Sequence, residues 1–232
     1  MIKKFVIIKV FLILTVLCHG QSSFLRGEEL LMQNVPAQAV TLLERALAED
    51  PANVTTYLYL GITYEQLNRA DEAIAVYRRV LPIAGNLSAT VANNLGNVYF
   101  QRGSNDLAEQ FYSQAIGINS VFSNAYLGRA NTRVRAGQLL NAVSDYEQYL
   151  TLEPRSAQRE NIERLINLIR TEIAAEEMRR VMAAEEARRL EEERARLLEA
   201  VSASLQSLAD SSQGLSSGAE SIENYDGEFI LE

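Results

Sequence analysis

Through the middle of the chain, apolar residues recur at helical rather than alternating spacing. Val40-Leu42-Leu43-Leu47 and Ile74-Tyr77-Leu81 each fall on one face of a 3.6-residue turn. The pattern predicts short amphipathic helices, and it returns with a fixed period. Ala39, Ala73, Ala108 and Ala142 are spaced 34, 35 and 34 residues apart, as are Gly27, Gly61, Gly96 and Ala130. Leu43, Tyr77, Tyr112 and Tyr146 form a third series, and Asn34, Asn68, Gly103 and Gly137 a fourth. Four series in one register mark an internal repeat. The extra residue falls near Leu81-Pro82-Ile83-Ala84-Gly85.

Each series has a physical reason. The Gly/Ala series lies on a first helix and the Ala series on a second, and small side chains at both places let the two helices approach closely. Leu43, Tyr77, Tyr112 and Tyr146 lie one turn past the Ala and fill the core. Asn34, Asn68, Gly103 and Gly137 fall where the chain reverses, a place that favours a left-handed residue. Pro51 and Pro154 close the first and last units.

The repeat resembles the tetratricopeptide repeat over four units, 20–53, 54–88, 89–122 and 123–156. The second unit carries the fullest likeness, in Tyr57-Leu58-Tyr59-Leu60-Gly61-Ile62-Thr63-Tyr64 followed by Ala73 and Tyr77. The third reads Asn94-Leu95-Gly96-Asn97-Val98-Tyr99, then Ala108, Tyr112 and Ala115. The first unit departs at Arg26 and Leu30, and the fourth at Arg129 and Arg133. The resemblance implies an all-α fold, a right-handed α-α superhelix (solenoid) of about four helical hairpins, with a concave groove for peptides or protein segments and no catalytic activity. Arg129 is expected to pair with Asp145 on the second helix of its unit. Arg133 has no evident partner in the sequence and is expected to reach solvent at the edge of the unit.

The same resemblance places the exposed face of each first helix along the groove. That face offers Phe24 and Glu28, then Leu58, Ile62, Glu65 and Gln66, then Asn93, Asn97 and Gln101, and finally Leu127, Asn131 and Arg135. Asn97 and Asn131 stand at equivalent places, and a carboxamide can give and accept a hydrogen bond to an extended backbone. The alternative is that Asn is simply a tolerated polar surface residue. Some family members hold a C-terminal carboxylate with a clamp of Lys, Arg and Asn. Here no Lys lies beyond position 9 and Glu28 is acidic, which argues against that ligand.

Past residue 156 the periodicity changes. Ala157–Asp210 has neither Gly nor Pro, which permits one long helix, expected over 157–208. Its start, Ile162-Leu165-Ile166-Ile169-Ile173, is amphipathic and suits a cap on the fourth unit. Farther on, Glu176→Arg180, Glu185→Arg189 and Glu192→Arg196 predict charge pairs one turn apart. The segment 174–208 reads as a solvated spacer, with a coiled coil and weak homo-oligomer as the alternative. Residues 209–232 are Ser/Gly-rich and then acidic, and predict a disordered tail with a short docking motif as its alternative.

Composition narrows the function. The chain has 232 residues and a formal net charge of −8. Its three Lys, one Cys (Cys18) and one His (His19) all lie within the first 19 positions. Met1–Lys4 is positive and Phe5–Leu17 is apolar apart from Lys9, so 1–20 reads as a signal peptide cleaved after Gly20. An uncleaved anchor and lipidation at Cys18 are the alternatives, and membrane contact is expected only in those two cases. All three place the body outside the cytoplasm, in the periplasm or on the envelope. The body then lacks a Cys or His nucleophile, a Cys/His zinc site and a Walker-type Lys, so no cofactor, metal or catalytic set is expected. Nucleic acid is disfavoured too, because 19 Arg face 30 acids with no basic tract. The expected partner is a protein or peptide.

Overall fold

The computed structural model describes the backbone of residues 23–223 and side chains as far as residue 210. The expected leader (1–20) and the last nine residues lie outside the described residues. Two compact units divide the chain, Met1–Ile173 and Ala174–Glu232.

Every regular element among the described residues is helical. Helix α1 is described over 23–32, and α2 follows at Pro36–Glu49. The second hairpin is α3 (Val54–Gln66) and α4 (Ala70–Val80), the third α5 (Ser88–Gln101) and α6 (Asn105–Ile118), and the fourth α7 (Ser123–Arg135) and α8 (Leu139–Leu152). The extra residue between units two and three is absorbed by two 3₁₀ turns, Leu81–Ile83 and Gly85–Leu87, with Gly85 left-handed at φ 56°.

All four hairpins turn by one device. Asn34, Asn68, Gly103 and Gly137 have φ of 58°, 57°, 75° and 75°. The residue after each sends its N–H five positions back: Val35 to Leu30, Arg69 to Tyr64, Ser104 to Tyr99 and Gln138 to Arg133, at 2.8–2.9 Å. These paired returns close the open carbonyls of the first helix in a Schellman motif. The sequence therefore predicted both the place and the handedness of each turn. At the far ends, α2 and α8 stop two residues before Pro51 and Pro154.

Inside the first three hairpins the small residue makes room for a large side chain of the second helix. A Cβ added at Gly61 would stand 2.2 Å from the Tyr77 ring, and one at Gly96 would stand 2.7 Å from Tyr112. The side chain from the second helix thus rests directly on first-helix backbone. Gly27 receives Leu43 in the same way. Tyr77, Tyr112 and Tyr146 are almost wholly buried.

The core of the first unit comes in two clusters. One runs from Leu30 to Ala125, and the second from Ala130 through Tyr146, Tyr149 and Leu150 to Ile162, Ile166 and Ile169. The three isoleucines are at most 5% exposed, so the start of α9 (Arg159–Glu223) covers the fourth hairpin. Arg159 reinforces that seat by donating to the Leu150 and Pro154 carbonyls.

In the second unit, α9 runs on to Glu223, past position 209 where a disordered tail is expected. Extending an existing helix needs only one new hydrogen bond per residue, and two Gly at about 1 kcal/mol each do not stop it. The charge pairs also differ in detail. Arg180 meets Glu177 at 3.2 Å, and Arg188 meets Glu192 at 3.7 Å. Such exposed pairs contribute little to stability.

Candidate peptide-binding groove

The tyrosines that fill the core also organise the groove. Tyr112 Oη donates to Asn97 Oδ1 at 2.8 Å, and Tyr146 Oη donates to Asn131 Oδ1 at 2.6 Å. Burial with a hydrogen-bonded hydroxyl is how a core accommodates Tyr. The consequence is that each Asn is held by its oxygen, with its amide N–H groups oriented for a ligand. Asn97 and Asn131 therefore present preset donors, with the tyrosines taking one lone pair of each oxygen. Unit two has Ile62 at the equivalent place, which cannot accept. Tyr77 Oη turns one step along α3 and donates to Glu65 Oε1 at 2.6 Å.

Between α5 and α7 lies a pocket of about 420 Å³, lined by Asn93, Asn97, Phe100, Gln101, Tyr112, Asn124, Leu127, Gly128 and Asn131. Of the expected groove residues, Asn93, Asn97, Gln101, Leu127 and Asn131 come together here. Phe100, Tyr112, Asn124 and Gly128 were not foreseen. Asn124 and Gly128 share the α7 stripe of Leu127 and Asn131, so helical spacing could have found them. The repeat spacing places Tyr112 in the core, and its hydroxyl end also reaches the groove. Gly128 admits that end, since a Cβ there would stand 2.4 Å from the Tyr112 ring.

The other expected residues lie outside this pocket. Leu58 and Ile62 are half-buried and pack on the core. Phe24 meets the Tyr59 ring edge-on at 5.6 Å. Arg135 donates to the Phe100 carbonyl at 2.6 Å and stacks on its ring at 3.7 Å. It is committed to the end of α5 and does not line the pocket.

A chain of hydrogen bonds joins the pocket to Glu65. Asn93 Nδ2 donates to Asn94 Oδ1 (3.4 Å), Asn94 Nδ2 donates to Tyr77 Oη (3.3 Å), and Tyr77 donates to Glu65. Burial holds the Glu65 carboxyl above the usual carboxylate range, against the opposing pull of the Tyr77 hydrogen bond. Burial raises Tyr112 well above the usual phenol value, with a further push from the Glu65 charge and an opposing pull from Arg135. At the pocket end, Asn93 is 6% exposed and its Oδ1 has no partner among the described residues.

Arg129 and Asp145 form the expected pair, bidentate at 2.9 and 2.7 Å. Arg133 does not end in solvent. Its Nη1 donates to Asp145 Oδ2 and its Nε to Glu109 Oε1, both at 2.8 Å. Arg129 also reaches Ser113 Oγ at 3.0 Å. Asp145 is 3% exposed, and two cations with two carboxylates leave the cluster neutral. Glu109 belongs to the preceding unit, which is why no search within unit four reveals it.

Comparison with known proteins agrees with this architecture. Tetratricopeptide repeat family models match residues 30–92 and 89–122. The chain is 28% identical to RNA polymerase II-associated protein 3 of Xenopus laevis over 124 residues, 53% of this chain and 19% of that protein. It is also 28% identical over 134 residues to the protein O-mannosyl-transferase TMTC3 of Mus musculus, 52% of this chain and 15% of that protein. The chain thus spans less than a fifth of either relative. Among solved structures, a crystal structure of MamA superposes with a TM-score of 0.51 at 25% identity, covering 55% of this chain and 74% of that one. A tetratricopeptide repeat protein from Parabacteroides merdae gives 0.57 at 17% identity, covering 66% and 61%. Repeat period, left-handed turns, ring-on-glycine packing and matched residues converge, and over residues 30–122 the chain is a tetratricopeptide repeat protein.

Proposed function

We propose that this chain is a non-catalytic scaffold of the bacterial cell envelope that binds a peptide or an extended protein segment in the groove of its first-helix faces. The carrying observation is the alignment of the Asn97 and Asn131 amide groups. Both oxygens are fixed by tyrosines, so both N–H₂ groups are oriented before a ligand arrives. Two preset donors one repeat apart suit carbonyls spaced along an extended backbone, at a reduced entropy cost of binding. The envelope setting rests on the reading of 1–20 as a leader.

Random peptide display selected on the full chain tests the groove. Enriched peptides should lose binding to an Asn97→Ala/Asn131→Ala variant that melts at an unchanged temperature. Failure to enrich any peptide, or enrichment indifferent to that variant, would overturn the groove reading.

A second reading, an oligomeric assembly factor, has its own support in the second unit. Met178, Val181, Met182, Leu190, Leu197, Val201, Leu205 and Leu208 are all 48% or more exposed on α9. Light scattering on the full chain and on a chain ending at residue 173 decides it. A monomer in both cases would remove it.

A further inference from the structure

We propose that the pocket between α5 and α7 selects a basic side chain, Arg or Lys, on the bound segment. The inference rests on the groove reading above and names the chemistry that the groove favours. Three observations carry it. The hydrogen bonds from Asn93 through Asn94 and Tyr77 to Glu65 all donate in one direction, toward the carboxylate. The series therefore ends, on its pocket side, in an acceptor: Asn93 Oδ1, nine-tenths buried and without a partner among the described residues. An aligned series of this kind polarises its members, which makes that terminal oxygen a stronger acceptor.

Second, Glu65 forms no ion pair among the described residues. Tyr77 is its one hydrogen-bond partner among the described residues. The Arg residues that could reach this face are committed elsewhere: Arg135 to Phe100, and Arg129 and Arg133 to Asp145 and Glu109. A half-buried carboxylate without a counter-ion favours an incoming positive charge. Third, the pocket lining adds carboxamides and the Phe100 and Tyr112 rings and includes no Arg or Lys, the neighbouring Arg135 being held against the Phe100 ring. A guanidinium or ammonium group brings only donors. It would satisfy Asn93 Oδ1 and bring a positive charge to a pocket whose Tyr112 wall lies within the field of the Glu65 charge, while the Asn97 and Asn131 amides take carbonyls of the same segment.

The display selection tests this directly. The peptides that depend on Asn97 and Asn131 should carry Arg or Lys at one fixed position. A synthetic peptide from that pool, N-acetylated and C-amidated, should bind about tenfold more tightly than its citrulline counterpart in fluorescence anisotropy. Glu65→Gln keeps an acceptor for Tyr77 and should reduce that preference to about twofold or less. Asn93→Ala should weaken the Arg peptide, with the melting temperature of each variant confirming that it folds. Asn-dependent peptides with no basic position, with an acidic one, or with equal affinity for Arg and citrulline would overturn the charge selection and leave the groove reading standing. An empty selection would overturn both.

Discussion

The junction between units two and three and the junction between units three and four use the same five repeat positions for opposite chemistry. At the first they hold Ile74, Arg78, Leu95, Tyr99 and Phe111. Leu95 is fully buried, and the Tyr99 and Phe111 rings stack 5.4 Å apart with Arg78 above them. At the second they hold Glu109, Ser113, Arg129, Arg133 and Asp145, joined by the ionic cluster. The apolar core is continuous across the first junction and breaks at the second, between Ala125 and Ala130. The helical frame is thus indifferent to what joins its units, provided the volume is filled and every polar atom has a partner. Apolar contacts are non-directional, whereas a bidentate arginine fixes an angle.

The largest effect expected from breaking this comparison is at Asp145. Asp145→Ala leaves Arg129 and Arg133 sharing a half-buried site with one carboxylate. The loss should be about 3–5 kcal/mol, read as a fall in melting temperature of about 2–4 °C per kcal/mol. A fall below about 2 °C would show the cluster to be ornamental. Next, Gly96→Leu should overpack the Tyr112 seat and cost about 1–3 kcal/mol. Unchanged melting would contradict the repeat register.

A transplant sharpens the contrast. Glu109→Ile, Arg129→Leu, Arg133→Tyr and Asp145→Phe together give the second junction the apolar set of the first. Replacing a whole buried ionic cluster is expected to be neutral or stabilising by up to about 4 kcal/mol. Large destabilisation of the quadruple variant would show that the junctions differ in shape as well as in chemistry.

The smallest expected effect concerns the tyrosines common to both regions. Burial pushes the Tyr146 hydroxyl up to about 12, from 10.0. A raised pKa means that the unfolded chain releases its proton first, so stability is full below pH 10 and declines as pH rises toward 12. Tyr146→Phe removes the Asn131 hydrogen bond, at about 1 kcal/mol, and should flatten that decline in denaturant titrations between pH 9 and 12. An unaltered slope would place the titration elsewhere.

The sequence made the hairpins legible because their signals are local. A left-handed Asn or Gly, a Pro after a helix and an Ala facing a Tyr act over one or two turns. The Arg129–Asp145 pair was legible for the same reason, since both residues lie within one unit. Glu109 was not, because the preceding unit supplies it. Nor did composition reveal that tyrosines occupy the Asn97 and Asn131 oxygens, or that Phe100 holds Arg135.

Period, helical class, turn handedness and the positions of the small residues follow from the amino-acid order alone, because each depends on backbone sterics and side-chain size within a single unit. Which polar atoms of the groove are spent was decided by tertiary packing: the two helices of one hairpin set the Tyr112–Asn97 and Tyr146–Asn131 bonds, and stacking of one hairpin on the next sets the Asn94–Tyr77 bond. A hydrogen bond between units depends on the rotation and rise from one hairpin to the next, and no single repeat contains that information. Asn93, Tyr77 and Glu65 come from two hairpins, and only their packing aligns the hydrogen bonds that run from the pocket to the carboxylate.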